Sequence, residues 1–270
     1  MTPYLTTDLG TLYNGDCLEI MRDLPADSID LVMTDPPYSS GGAFRGDRMN
    51  STATKYIDTV EKRGLLEFLG DNRDQHGFLF WCTLWVSQCY RLMRTGAIIG
   101  IFTDWRQLPT VSDVLQAGGF VWRGIAVWDK TEAVRPQKGR YRNQCEYIVW
   151  GTKGARPAEG IILPGVYRKV VMGKQKLHIT EKPVDVMKYL VSIEPEGATV
   201  LDPFIGSGQT AAACEDLNRR WIGIELSPAI CEVARTRLMN KTKQLTIKTS
   251  SNKKNEADFE RARENFVAVS

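Results

Sequence analysis

No stretch of this 270-residue chain approaches the ~18 consecutive apolar residues of a membrane-spanning helix. Stretches such as Ala97–Phe102 and Ile222–Leu226 are only strand-sized, and the N-terminus lacks the apolar core of a secretory leader. Histidine is scarce, with only His76 and His178. The six cysteines (Cys17, Cys82, Cys89, Cys145, Cys214, Cys231) form no C-x-x-C pair, so no Cys/His zinc site or other metal centre is expected. These absences favour a globular cytoplasmic chain with buried, reduced thiols. What is present agrees: 43% hydrophobic and 25% charged residues suffice for a sizeable core without staples.

The net charge of +3 is unevenly spread. Between Lys130 and Lys176 eleven Lys/Arg face three acids, Glu132, Glu146 and Glu159, so that stretch carries +8. The remaining 24 basic and 29 acidic residues leave −5 elsewhere. A mildly acidic body with one basic segment suits a polyanion docked on one face, although a solvated basic loop would satisfy the charge equally well.

Seven segments read as strands: Thr11–Asn14, Ile29–Thr34, Ala97–Phe102, Val121–Trp128, Cys145–Trp150, Thr199–Asp202 and Trp221–Glu225. Most are unbroken apolar runs, as expected where both sheet faces are covered. Helical periodicity over Phe78–Arg94, Leu108–Ala117, Pro183–Ile193, Thr210–Asn218 and Pro228–Met239 separates several of them. The alternation predicts an α/β fold with a Rossmann-like, seven-stranded, mostly parallel sheet and helices on both faces. No helix separates Trp128 from Cys145, which predicts an antiparallel hairpin at one edge.

One domain over 1–240 is expected, followed by a polar Lys-rich linker and a C-terminal helix within 241–270. In that helix Phe259, Ala262 and Phe266 share a face that suits docking on the body or on a partner. Residues 39–59, rich in Gly, Ser and Thr, read as a mobile loop. Residues 151–177 read as a small hairpin, with Ile161–Leu163 and Val166–Val171 as arms around Pro164-Gly165.

Leu201–Ala211 sits between a strand and a helix, and Gly206, Gly208 and Ala211 match G-x-G-x-x-A. Glu225 ends the next strand, 19 residues after Gly206. A tight glycine turn lets a ligand approach the backbone, and a carboxylate at that remove holds ribose hydroxyls. This supports a nucleoside cofactor on a Rossmann-like sheet, without separating NAD from S-adenosylmethionine.

Asp35-Pro36-Pro37-Tyr38 ends the apolar strand Ile29–Thr34, where open α/β sheets place ligands. The prolines fix φ and remove N–H donors. The loop is left with a carboxylate, bare carbonyls and an aromatic ring. Such a set suits an exocyclic amine such as N6 of adenine, whose lone pair is delocalised into the ring. Acceptors on its two hydrogens, the Asp35 carboxylate and the Pro36 carbonyl, would favour a pyramidal nitrogen with its lone pair aimed at a methyl donor. Asp35 would then help the proton leave, and Tyr38 would stack on a base taken out of the duplex.

These motifs resemble the amino-methylating DNA methyltransferases, which share a DPPY-type catalytic motif and an F-x-G-x-G cofactor motif. Here Asp35–Tyr38 comes first and Phe204–Gly208 late, as in the β group of that family. The resemblance extends over roughly 11–239 and includes Gly15–Glu19, His178–Pro183 and Asn143–Ile148. It implies catalytic roles for Asp35, Pro36 and Tyr38, with Pro37 shaping the loop. For the S-adenosylmethionine pocket, to which Asp35 also belongs, it implies Phe204, Gly206 and Gly208, with Asp202 near the methionine end. Glu225 would take the ribose hydroxyls, Asp16 would lie near the adenine, and Thr180, Lys182 and Pro183 would approach the methionyl group. Two of these have plainer readings: Thr180 as a helix cap and Asp16 as a turn residue. The implied setting is DNA modification, as in restriction–modification, by a bacterial or phage-encoded enzyme, in a family whose members are often homodimers.

Double-stranded DNA is the implied partner, with its target base flipped. Lys130, Arg135, Lys138, Arg140 and Arg142 are then assigned to phosphates, and Arg168 and Lys169 to the group that includes base readers. Arg45 and Arg48, with Phe44, are assigned to the loop beside the flipped base. The small 151–177 segment points to a short or relaxed recognition site. Aspartate at position 35 leans towards adenine, because cytosine-N4 enzymes of the family more often carry serine there. Methylation at cytosine C5 is excluded, since no cysteine follows a proline. A nicotinamide-dependent oxidoreductase would explain Gly206–Ala211 and Glu225 but would leave Asp35–Tyr38 and the basic stretch unused.

Overall fold

A computed structural model describes residues 2–39, 73–134, 136, 138–170 and 182–240. Strands β1 (Leu5–Thr6) and β2 (Gly10–Asn14) lead into helix α1 (Cys17–Asp23) and β3 (Ile29–Thr34). Then come α2 (Gln75–Leu92), β4 (Met93–Thr103), α3 (Leu108–Ala117), β5 (Val121–Asp129), β6 (Cys145–Thr152) and β7 (Val166–Arg168). Next follow α4 (Val184–Val191), β8 (Thr199–Asp202), α5 (Gln209–Asp216) and β9 (Arg220–Glu225), and a last helix, α6, occupies 228–240.

The strands form one sheet in the order β1-β2-β9-β8-β3-β4-β6-β5-β7, nine strands where the sequence pattern predicts seven. β2, β9, β8, β3 and β4 run parallel. β6 is antiparallel to β4, and β5 to β6, so the predicted hairpin forms. One added strand, β1, pairs only Leu5 and Thr6 with β2, too short a run to leave a period in the sequence.

The other added strand corrects the expected hairpin within 151–177. Ile161–Leu163 form no strand, and Val166–Arg168 pair in parallel with Val127–Asp129. Pro164 has no N–H for a ladder, whereas β5 has an open edge. Around the paired residues, the Val127 amide donates to Gly165 at 2.8 Å and the Lys169 amide to Asp129 at 2.9 Å. β7 is therefore the edge strand, in place of β5. Helix α1, also absent from the predicted elements, starts at Asp16, whose carboxylate accepts from the Leu18 amide at 2.8 Å.

Alternate residues of the central strands feed two cores. Val32, Ile99 and Ile101 pack with Phe78, Trp85, Leu92 and Leu115 on one face. Leu31, Met33, Ile98 and Phe102 pack with Val186, Met187, Ala211 and Trp221 on the other. Burial on both faces is why these strands are apolar throughout. All six cysteines are free thiols, five of them buried. Among the described residues no helix is long and apolar enough to cross a membrane.

The parallel strands end at a common edge. Antiparallel pairing sets Thr103 opposite Tyr147 and Asp129 opposite Cys145, so β5 ends and β6 begins at that same edge. The connection 130–144 therefore opens beside the segments that follow β2, β3, β8 and β9.

Candidate active site

The glycine turn follows β8. Asp202, at the strand's end, is buried, and its carboxylate is wholly engaged by the protein: Thr34 donates to Oδ1 at 2.6 Å, Thr210 to Oδ2 at 2.5 Å, and the Phe204 amide to Oδ1 at 3.0 Å. Burial pushes its pKa up to about 6 against these hydrogen bonds. Phe204 is clamped by two rings of α2, Trp81 at 5.3 Å and Trp85 at 5.1 Å between centroids. Gly206 and Gly208 both take left-handed backbone (φ +52° and +85°), and Gly208 caps α5. A Cβ on Gly206 would meet nothing nearer than the Phe204 carbonyl at 4.0 Å, so the space beside this backbone is open to a ligand.

Glu225 ends β9 directly opposite Asn14 of β2. Its Oε1 accepts from the Ser227 amide at 2.8 Å. Burial raises its pKa, while the amides of Ser227 and Gly206 hold it down. The Gly15 amide donates to the Glu225 carbonyl at 3.0 Å, which brings Asp16 to the same rim. Asp16, Glu225, Asp202, Phe204, Gly206 and Gly208 thus share one edge across β2, β9 and β8. This donor-and-carboxylate rim beside an open glycine turn fits a nucleoside-bearing cofactor.

Asp35 follows β3, the neighbour of β8, and Pro36 beside it is buried. Lys182 Nζ pairs with Asp35 Oδ2 at 2.6 Å and with Glu146 Oε2 at 3.1 Å. The Tyr38 hydroxyl lies 2.7 Å from Asp35 Oδ1 and 3.1 Å from Glu146 Oε2. Lys130 closes on Glu146 Oε1 at 3.3 Å. Burial raises the Asp35 pKa; Lys182 opposes that rise and Glu146 adds to it. Burial would also raise Glu146, but Lys182 and Lys130 together hold it below the usual carboxylate range. Lys182 stays charged although 7% exposed, because Asp35 and Glu146 outweigh its desolvation. The lysine predicted to approach the methionyl group therefore sits on the Asp35 carboxylate itself. Its neighbour Pro183 is buried and caps α4.

The family model of N6/N4 DNA methylases matches residues 29–171 and 155–236. The chain belongs to this DNA methylase family. YubD of Escherichia coli (strain K12) is 32% identical over 213 residues, 78% of this chain and 82% of that protein. The type II methyltransferase M.BamHI of Bacillus amyloliquefaciens is 26% identical over 276 residues, which span 89% of this chain but 60% of M.BamHI. Among solved structures, the M1.HpyAVI–S-adenosylmethionine complex superposes with a TM-score of 0.60 at 25% identity, over 85% of this chain and 99% of that one. PvuII DNA methyltransferase, a cytosine-N4-specific enzyme, shares the fold with a TM-score of 0.68 at 19% identity, over 87% and 88% of the two chains. The DNA methylase uses S-adenosylmethionine as methyl donor and an amino group of DNA as acceptor. The nicotinamide reading of the glycine turn falls with that assignment.

The methylase carries its predicted DNA contacts in two states. Lys138, Arg140 and Arg142 are exposed on the 130–144 connection, around a fully exposed Tyr141. Arg142 also donates to the Glu132 carbonyl. Arg168 pairs with Asp129 at 3.3 Å and with Glu132, and Lys169 pairs with Asp185 at 2.5 Å, so both are engaged with acids of the chain. Thr180, Arg45, Arg48, Phe44 and Arg135, together with the C-terminal face at Phe259 and Phe266, lie outside the described residues.

Sequence reasoning passed over Glu146, Thr34, Thr210 and the Trp81–Trp85 clamp, and it gave Lys130 to the DNA phosphates, whereas Lys130 pairs with Glu146 at 3.3 Å. One signal was available: Glu146 is an acid in the otherwise apolar strand Cys145–Trp150, and a carboxylate there needs a partner.

Proposed function

We propose that this methylase transfers the methyl group to N6 of an adenine held out of the DNA duplex. The observation that carries this reading is the Asp35 carboxylate, part-exposed at the head of the donor-poor Pro36-Pro37 loop and raised in proton affinity by burial. Asp35 and the Pro36 carbonyl would accept the two amine hydrogens and turn the nitrogen lone pair outward. Bound S-adenosylmethionine supplies an electrophilic sulfonium methyl. Gly206, Gly208 and Phe204 would line its pocket, Glu225 would take the ribose hydroxyls and Asp16 the adenine end. Once methylated, the amine nitrogen is cationic and must shed a proton, and Asp35 is the base placed to take it. The Tyr38 ring, with Lys182 5.3 Å from its centroid, would stack on the flipped base. Lys138, Arg140 and Arg142 would hold phosphates at the same edge of the sheet.

Nucleoside mass spectrometry of unmethylated DNA incubated with protein and S-adenosylmethionine tests the reading. N6-methyladenine is expected. N4-methylcytosine would keep the amine chemistry but overturn the base assignment, and no methylated nucleoside would overturn the reading altogether.

A further inference from the structure

Glu146 belongs neither to the Asp35–Tyr38 loop nor to the glycine turn, yet it touches every group that holds Asp35. Its Oε2 lies 3.1 Å from both Lys182 Nζ and the Tyr38 hydroxyl, while Lys130 sits 3.3 Å from Oε1. Lys182 and Tyr38 in turn occupy the two oxygens of Asp35, at 2.6 and 2.7 Å. The contacts close a ring: Asp35, Lys182, Glu146, Tyr38 and back to Asp35. We infer that Glu146 is the positioning residue of the methyl-transfer centre, fixing the plane of the Asp35 carboxylate through Lys182 and Tyr38 and serving as the alternative acceptor for the Tyr38 hydroxyl proton. The inference rests on Asp35 being the group that receives the amine.

The hydroxyl of Tyr38 carries one hydrogen and faces two carboxylates, so it donates to only one of them at a time. While Asp35 is ionised the shorter contact takes that hydrogen. When Asp35 gains a proton it becomes a donor to Tyr38, and the tyrosine hydrogen turns to Glu146 without displacement of any heavy atom. Glu146 remains ionised to receive it, because Lys182 and Lys130 outweigh its burial. The second acceptor therefore stabilises the protonated form of Asp35. The charged and titratable groups around Asp35 are Lys182 ahead of α4, Glu146 on β6 with Lys130 behind it, Tyr38 on its own loop and Asp202 at the end of β8.

Single-turnover methyl transfer to unmethylated plasmid DNA, measured from pH 5 to 9 and read as methylated nucleoside, tests this with wild type, Glu146→Gln and Glu146→Asp. Removing the negative charge makes Asp35 easier to ionise, so Glu146→Gln should move the acid-side fall in rate to lower pH. It should also slow transfer about tenfold or more, with S-adenosylmethionine affinity within about threefold of wild type. Glu146→Asp keeps the charge and should keep the position of the acid limb. Wild-type rate and pH profile in Glu146→Gln would overturn the inference. Should Glu146→Gln fail to fold, Glu146→Asp decides: its carboxylate falls one methylene short of Lys182 and Tyr38, so slower transfer at unchanged cofactor affinity supports the role and wild-type transfer overturns it. A wild-type protein that leaves no methylated nucleoside, or an Asp35→Ala variant that transfers normally, overturns the reading of Asp35 and this inference with it.

Discussion

At the scale of single residues, the centre is a balance of charges taken out of water: Asp35 and Glu146 against Lys182 and Lys130. Breaking such a set leaves an uncompensated buried charge, which costs more than the intact set stabilises. Asp35→Ala should therefore lower methyl transfer by about 10²–10⁴-fold, while S-adenosylmethionine binding, measured by calorimetry, stays near wild type. Asp202 makes a separate prediction. Its folded pKa of about 6 lies above the unfolded value near 3.8, so its contribution is fully present below pH 4 and is lost as pH rises through 6. Relative to Asp202→Asn, wild-type unfolding stability should fall over that window by on the order of 2–3 kcal/mol. Equal pH dependence of the two would contradict this. Asp35–Tyr38 and Gly206–Gly208 were legible in the sequence because each is a contiguous string whose chemistry is local. The ring around Asp35 was not, since Lys182 lies 147 positions from Asp35, and Tyr38 108 from Glu146. No spacing rule links residues that far apart.

Elements decide which of those residues can meet. The seven sequence-derived strands all form; the central ones, β3, β4 and β8, are buried on both faces and so are apolar runs with sharp ends. What escaped were short pieces, β1 with two residues and α1 with its seven, while the three-residue β7 was expected as a hairpin arm and pairs with β5 instead. Their existence depends on an edge or a cap supplied by the rest of the fold. The turn between β8 and α5 gives a clean test of the cofactor assignment. Gly206→Ala meets no protein atom nearer than 4.0 Å, so only its positive φ costs stability, about 1 kcal/mol. A much larger loss of S-adenosylmethionine affinity than of thermal stability is expected; equal losses would place the ligand elsewhere. For the β5–β6 connection, Lys138→Ala with Arg140→Ala should weaken DNA binding and reduce the slope of log affinity against log salt by up to about 2. Replacing Arg168 or Lys169 should change that slope less, because their charges already face Asp129, Glu132 and Asp185.

The whole molecule is held by two apolar layers on one sheet, with no covalent crosslink among its six thiols. Its unfolding midpoint should be the same with and without reductant, and native thiol titration should find Cys145 reacting ahead of the five buried cysteines. At this scale the sequence was most readable, since alternating strands and helices leave few ways to cover both faces. The feature it could not convey is that the reversed strand β6 begins at the edge that carries Asp35. The connection 130–144 is therefore a cassette with defined ends. If the exposed Lys138, Arg140 and Arg142 hold DNA as proposed, exchanging the residues between Lys130 and Glu146 with those of another family member should change what the enzyme grips. Lys130 contacts Glu146, and Glu146 is joined through Lys182 to Asp35, so under the proposed mechanism both ends would belong to the chemistry. A graft confined between them should carry over the donor's grip on DNA and keep the methyl transfer. One that replaces either end residue should bind as the donor does and turn over poorly.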